Sequence, residues 1–376
     1  MTSSPDLAHL SLTPRAVLDT LETYSAGRDA ASVRRDSGYV EPIIKLASNE
    51  GAEGPFAAAQ AALAESRSAA QRYPAAFAAP LCDALARFHA VTPDQVMVSN
   101  GGCSLLAHLS SVFLDPGDEV VFGRPTFHLY RLEALRMGAV PVSVPVNATG
   151  SYDLTAMQSA IGPRTRLLYV CTPNNPTGGL VRRDELAQFL ADLPERVLPI
   201  IDEAYFEYVE DSDFPDPIHY SRPCARPTVV IRTFSKIYGL AGLRIGYAIA
   251  PAEVVASCRK IQNPYEVNCD AQLAALASLA HPEELAQRRA ANRVAREHLV
   301  CGLRNLGLDP LPSQANFACV RVGDGRTTAV ALESEGIIVR PLAAMGDPQS
   351  IRVTVGTLPQ MDAFLRVLAN VLRLHS

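Results

Sequence analysis

"TRLLYVCTPNNPTGGLVRRDELAQFLADLPERVLPIIDEAY", residues 165–205, decides the architecture of this chain. "TRLLYVCTP" is rich in β-forming residues and closes on Thr-Pro, so it reads as a strand and its exit turn. "RDELAQFLADL" (183–193) is an amphipathic helix, and "VLPIIDEAY" (197–205) a second strand. Strand, helix and strand in that order predict a parallel pair with a crossover helix.

The pattern spreads in both directions. Upstream, "QVMVSNGG" (95–102) runs from a strand into a glycine turn, and "CSLLAHLSSVFL" (103–114) is the helix after it. "DEVVFG" (118–123) and "VPVSVPV" (140–146) are strands, as are "TVVIRTFS" (228–235) and "RIGYAIA" (244–250) downstream. Strands alternating with helices predict an α/β domain whose mostly parallel sheet is covered on both faces. From about 271 the character changes. An alanine-rich helical stretch (271–306) precedes the strands "ANFACVRV", "GIIVRPL" and "IRVTVG" and the helix "QMDAFLRVLANVLRL". This predicts a smaller α+β domain. The expected division is an N-terminal arm at 1–40, a large domain at 41–270 and a small C-terminal domain at 271–376, packing with the arm.

The 376 residues are enough for a large core, at 48% hydrophobic and 19% charged. A net charge of −5 gives no footprint for nucleic acid or an anionic membrane. No stretch approaches the roughly 18 apolar residues of a membrane span, and "MTSSPDLAHL" lacks the pattern of a secretory signal. None of the eight cysteines forms a C-x-x-C pair, so neither zinc nor a redox motif is indicated, and a cytoplasmic protein with reduced thiols is expected.

Four features in the α/β part carry chemistry. "SNGGCS" (99–104) sits at a strand-to-helix turn, where backbone N–H groups attract anions; alone it also reads as an ordinary tight turn. "TPNNPTG" (172–178) follows a strand, so an asparagine amide can enter the cleft where open α/β sheets bind ligands. Asp202 ends an apolar run; its carboxylate either meets a cationic or donor partner or caps the next segment. "TFSKIYGLAGLRIGY" (233–247) supplies two hydroxyls, an amine and a guanidinium. An amine buried there beside a cation has a lowered pKa and attacks carbonyls; the bland alternative is a snorkelling lysine and a surface arginine. A phosphate cradle, a buried acid, a neutral amide and a carbonyl-reactive lysine together suit pyridoxal 5′-phosphate.

The sequence resembles the class I/II, fold-type I aminotransferases over nearly its whole length. It is closest to the histidinol-phosphate aminotransferase branch, which includes actinobacterial-type aromatic (phenylalanine) aminotransferases. The marks are "KLASNE", "RYP", "DPGDEVVFGRPTFHLY", "TPNNPTG", "DEAYFEY", "RTFSKIYGLAGLRIGYA", "ANF", "GIIVRPL" and "IRVTVGT". The resemblance implies a seven-stranded large domain and a homodimer with the site at its interface. It further implies that Lys236 carries the cofactor as a Schiff base and then moves the proton, while Asp202 pairs with the ring nitrogen. Asn175 and Tyr205 would bond the phenolic oxygen and Phe127 would stack on the ring. Thr233, Ser235, Arg244 and the backbone of Gly101, Gly102 and Cys103 would hold the phosphate. Arg352 would clamp the substrate carboxylate, with Arg340 and Asn49 lining the substrate side and Tyr24 closing over it. The implied reaction is ping-pong transamination between an amino donor (histidinol phosphate or an aromatic amino acid) and a keto acid, 2-oxoglutarate being the usual acceptor.

Three departures stand against the family pattern. "NEGAEGP" (49–55) puts Glu53 where a tyrosine usually reaches the neighbouring subunit's cofactor phosphate. "NGGCS" replaces hydroxyl and acidic residues of the cradle with Gly102 and Cys103, and Gln262 stands where relatives often carry arginine. Losing a cation and gaining an acid disfavours a phosphorylated donor. A decarboxylase, lyase or oxidase would share the lysine and the acid. A cofactor-binding transcription regulator would need a DNA-binding module, and the first ~40 residues are too few and not basic.

Overall fold

A computed structural model describes residues 13–21, 23, 27–66, 70–216, 218 and 226–374. In chain order its strands are β1 (Ile44–Lys45), β2 (Val96–Ser99), β3 (Glu119–Arg124), β4 (Val140–Pro145), β5 (Thr165–Cys171), β6 (Leu198–Asp202), β7 (Val229–Thr233), β8 (Gly246–Ile249), β9 (Phe317–Arg321), β10 (Ile337–Ile338), β11 (Arg340–Pro341) and β12 (Ser350–Thr354).

Seven of them form one sheet in the order β2-β8-β7-β6-β5-β3-β4. The five from β7 to β4 run parallel, while β8 is antiparallel to both β7 and β2. The expected mostly parallel α/β sheet is therefore present. Its central strands are buried on both faces: Leu167, Leu168, Tyr169, Val170, Ile200 and Ile201 are all at 0% exposure. That explains their unbroken apolar runs, since each such side chain contributes about 1.5–3 kcal/mol on burial. The helix expected at 183–193 forms as Arg183–Asp192 and buries Leu186, Phe189 and Leu190 against the sheet.

The alanine-rich stretch from 271 is two helices, Cys269–Leu279 and Pro282–Asn305. Pro282 has no N–H to continue a helix and sits at the first helical turn of the second, where none is needed. After it, β9, β12 and β11 make an antiparallel sheet with Arg340 directly opposite Arg352. "GIIVRPL" is not one strand. Its first half, β10, pairs with β1, so Ile44 and Lys45 lie opposite Ile337 and Ile338 rather than joining the large sheet, with the Ile44 and Leu46 N–H groups donating to Gly336 O and Ile338 O. Leu46 packs in the same cluster as Leu299, Ile351 and Phe364. Residues 44–50 thus leave the C-terminal part and enter the cleft between the two sheets.

Among the described residues no helix is long and apolar enough to cross a membrane, and no group of His, Cys, Asp or Glu could hold a metal ion. Seven cysteines are free thiols, four of them buried; Cys224 lies outside the described residues.

Candidate active site

A cavity of about 400 Å³ opens at the carboxyl ends of β5, β6 and β7. Ligands bind open α/β sheets at this edge. Its wall brings together Asn49, Gly102, Cys103, Phe127, Asn175, Asp202, Tyr205, Thr233, Ser235, Lys236, Arg244, Arg340 and Arg352. Of the residues that the resemblance assigns to the site, Gly101 is not on it, and Tyr24 lies outside the described residues.

Asp202 ends β6 and is buried, and burial pushes its carboxyl up from the usual range. Two donors oppose that push: Tyr130 Oη at 2.7 Å from Oδ2 and the Ala204 N–H at 3.1 Å from Oδ1. Asp202 does not cap a helix. Its bond to Ala204 closes a short turn, and Oδ2 is held by a tyrosine from the helix Leu129–Arg136. Tyr130 is fully buried and stacks on Tyr169 at 4.5 Å, with the Phe127 ring edge-on at 5.8 Å.

Lys236 follows β7 in a short loop whose flanks, Phe234 and Ile237, are buried. Its Nζ donates to Ser48 O at 3.3 Å and lies 5.6 Å from the centre of the Tyr205 ring. Burial, and then the Arg352 guanidinium, lower this amine from 10.5 to about 8. The snorkelling alternative therefore fails: the amine points inward, where a substantial fraction is uncharged near neutrality.

Arg352, on β12, is 4% exposed; its guanidinium donates to Asn175 Oδ1 and to Ala47 O. Asn49 donates from Nδ2 to Tyr205 Oη at 2.9 Å, while Thr354 Oγ1 bonds both its N–H and its Oδ1. Asn316 Nδ2 reaches the carbonyls of Asn49 and Glu50 at 3.1 and 3.2 Å. These bonds fix Asn49 in the left-handed region, φ 54°, which asparagine tolerates better than most side chains.

On the opposite wall the helix Gly102–Phe113 begins, so its first-turn N–H groups face the cleft. Thr233 Oγ1 donates to Ser235 Oγ at 2.9 Å. Gly101 has φ 79°, and a Cβ there would stand 2.8 Å from Arg244 Nη2. Gly101 thus leaves the room that Arg244 occupies. Two hydroxyls, first-turn N–H groups and a guanidinium make a donor set for a phosphate. With Asp202, Asn175, Tyr205, Phe127 and Lys236 alongside, the residues fit a phosphorylated aromatic aldehyde.

Two of the departures from the family pattern, Glu53 and Gln262, lie off this wall, while Gly102 and Cys103 are on it. Glu53 sits beside Arg288 at 3.6 Å. Gln262 is buried and donates to Val98 O at 2.8 Å and Glu266 Oε1 at 2.9 Å. Cys103 is on the wall, and burial pushes its thiol up. Sequence reasoning missed Tyr130, Thr354 and Ser48 O. Tyr130 had a signal only in that it closes the same "PTFHLY" stretch that carries Phe127. Thr354 and Ser48 had none, because their partners come from the other end of the chain.

The family model described as aminotransferase class I and II matches residues 41–368. The histidinol-phosphate aminotransferase of Moorella thermoacetica is 38% identical over 359 residues, covering 95% of this chain and 92% of that one. The aromatic amino acid aminotransferase of Thermobifida fusca is 41% identical over 355 residues, covering 94% and 95%. Among solved structures, the histidinol-phosphate aminotransferase of Sinorhizobium meliloti in complex with pyridoxal-5′-phosphate superposes with a TM-score of 0.90 at 26% identity, covering 99% and 100%.

Proposed function

The chain belongs to the class I and II aminotransferases, and on that premise we propose that it moves an amino group from histidinol phosphate or an aromatic amino acid to 2-oxoglutarate, with pyridoxal 5′-phosphate as cofactor. The observation that carries this reading is the inward-facing Lys236 amine, lowered to about 8, in one cavity with the buried Asp202.

When bound, pyridoxal phosphate supplies a carbonyl that condenses with amines and a protonated ring that withdraws electrons from the substrate Cα. Lys236 Nζ, uncharged in part near neutrality, would hold the cofactor through its carbonyl carbon, water being the leaving group, and as a free amine it would take the substrate Cα proton. Asp202, whose anion Tyr130 and Ala204 stabilise against burial, would hold a proton at the ring nitrogen. Thr233, Ser235, Arg244 and the first turn of Gly102–Phe113 hold the phosphate; Asn175 and Tyr205 bond the phenolic oxygen, and Phe127 packs on the ring. Arg352 takes the α-carboxylate in a two-pronged contact, and Arg340, opposite it in the sheet, receives the far anionic end of the acceptor. With an aromatic donor this clamp would serve the carboxylates of donor and acceptor in turn; histidinol phosphate has no carboxylate and would offer its phosphate to the arginines instead. Ping-pong order follows because the first keto product leaves before the acceptor enters the same site. A homodimer and a cytoplasmic location belong to the same reading.

The test is a single half-reaction. Reconstituted protein is mixed with one amino donor and no acceptor. Conversion of the bound aldehyde absorbance to that of the amine form, without CO₂, ammonia or peroxide, supports transfer. Release of any of those three overturns it in favour of a decarboxylase, lyase or oxidase. Running histidinol phosphate, phenylalanine and an aliphatic amino acid side by side identifies the donor.

A further inference from the structure

Residues 48–55 wrap the backbone of Lys236. Ser48 O accepts from its Nζ at 3.3 Å. A Cβ on Gly51 would stand 2.7 Å from Lys236 O. Gly239, at φ 71°, donates its N–H to Lys236 O at 3.0 Å, and a Cβ there would stand 2.4 Å from Gly54 O. The two loops therefore touch main chain to main chain, and a shift in one moves the other.

One side chain ties both loops to a third element. Arg288, on the helix Pro282–Asn305, is 9% exposed. Its Nη1 donates to Gly54 O at 2.6 Å and to Ile237 O at 3.1 Å, and its Nη2 to Glu284 Oε1 at 2.7 Å. The guanidinium carbon lies 4.4 Å from the centre of the Phe56 ring. Glu53 Oε2 sits 3.6 Å from Nε. Ile237 is the residue after the lysine, and Gly54 is the contact of Gly239. A planar fork can bond two carbonyls from one nitrogen while sending the other to a carboxylate; an ammonium on a flexible stem does not hold that geometry.

We propose that Arg288, with Glu284 as its hydrogen-bonded counter-ion, is a positioning residue for Lys236, and that Glu53, 3.6 Å from Nε, adds a second counter-charge there rather than reaching a neighbouring subunit's cofactor phosphate. This rests on Lys236 being the amine that takes the cofactor. Displacing a reacting group by about 1 Å slows a reaction by about 100-fold. Arg288 would set the reach of Lys236 through the backbone at 237 without touching substrate or cofactor.

Four full-length variants test it: Arg288→Met, Arg288→Lys, Glu53→Gln and Glu53→Tyr. The readouts are the rate at which apo-protein develops Schiff-base absorbance with pyridoxal phosphate, the pH midpoint of that chromophore, and the thermal midpoint. Arg288→Met should slow capture at least about tenfold and move the chromophore midpoint, with Arg288→Lys recovering only part of the loss. Glu53→Gln should slow capture several-fold. Glu53→Tyr, which restores the usual family residue, should weaken cofactor binding rather than strengthen it. If Arg288→Met does not fold, Arg288→Lys and the Glu53 pair decide. A lowered thermal midpoint with unchanged capture and chromophore overturns the proposal, as does tighter cofactor binding in Glu53→Tyr. Failure of the underlying reading looks different: wild-type protein would itself develop no absorbance.

Discussion

Tyr130 Oη donates to Asp202 Oδ2 at 2.7 Å; Tyr130 is fully buried, and Asp202 is buried but for the face it turns to the cavity. Burial alone would drive Asp202 toward its neutral form, so this bond and the one from Ala204 decide how much anion is present. A hydrogen bond to a charged acceptor contributes about 1.5–3 kcal/mol. Tyr130→Phe keeps the stack on Tyr169 and the edge contact with Phe127, and removes only the donor. Its Asp202 should titrate higher, because the hydrogen bond that opposes the effect of burial is gone. Cofactor dissociation constants should rise about tenfold, as one lost charged hydrogen bond requires. A cofactor methylated at the ring nitrogen, which carries a fixed charge, should erase most of the rate difference between variant and parent. Unchanged affinity and unchanged rates would remove Tyr130 from the mechanism.

The Lys236 amine sets a pH dependence. Its folded value of about 8 lies below the 10.5 of an unperturbed lysine. Capture of pyridoxal phosphate by apo-protein should therefore rise with pH and level off above about 8. Between about 8 and 10.5 the unfolded chain binds more protons than the folded one at this position, so its contribution to apo-protein stability grows as pH rises. Arg352→Met, which removes the nearest opposing charge, should move the capture midpoint upward. A midpoint at 10.5 in the parent protein would contradict the buried-amine reading.

Lys236→Ala should abolish the Schiff-base absorbance and turnover while far-ultraviolet circular dichroism stays that of the parent. Visible Schiff-base absorbance that persists in this variant would refute the assignment of the lysine.

Arg352→Ala should raise KM for carboxylate substrates about 100-fold, as two charge-assisted bonds of about 1.5 kcal/mol each require. Cofactor affinity should change much less, although Asn175 Oδ1 loses its donor. An unchanged KM for glutamate would exclude Arg352 as the clamp.

Behind the site, Arg232 and Glu203 form an ion pair at 2.8 Å with exposures of 3% and 0%. The Arg232 guanidinium also lies 3.3 Å from the centre of the Phe206 ring. Glu203 and Arg232 flank Asp202 and Thr233 in sequence, so the pair fastens β6 to β7 beneath the cavity. Arg232→Met leaves a buried carboxylate and should cost about 3–5 kcal/mol of unfolding free energy. The double variant Arg232→Met with Glu203→Leu should recover part of that, because the Glu203 carboxylate is gone, while buried Glu207 still loses the Arg232 charge beside it. Urea midpoints at constant slope measure both.

Much of this arrangement was legible before any coordinates. Period and turn chemistry located the strands of the large sheet, because a strand buried on both faces must be apolar throughout. The residues that end those strands, Asp202 and Thr233, and the loops after them, Asn175 and Lys236, fell on one edge for the same reason. The break at Pro282 and the division of "GIIVRPL" between two sheets were less visible. The first depends on where a helix restarts, and the second on which partner strand arrives.

By itself, then, the sequence determined the kinds of groups available and the edge of the sheet where they gather, since local periodicity and turn residues act over a few positions. Tertiary structure decided which groups answer one another. Tyr130 meets Asp202 across 72 positions, Asn49 meets Tyr205 across 156, and Arg352 meets Asn175 across 177. The first needs the helix Leu129–Arg136 packed on the large sheet, and the other two need residues 46–50 and β12 brought to that sheet's edge; no local pattern encodes either meeting.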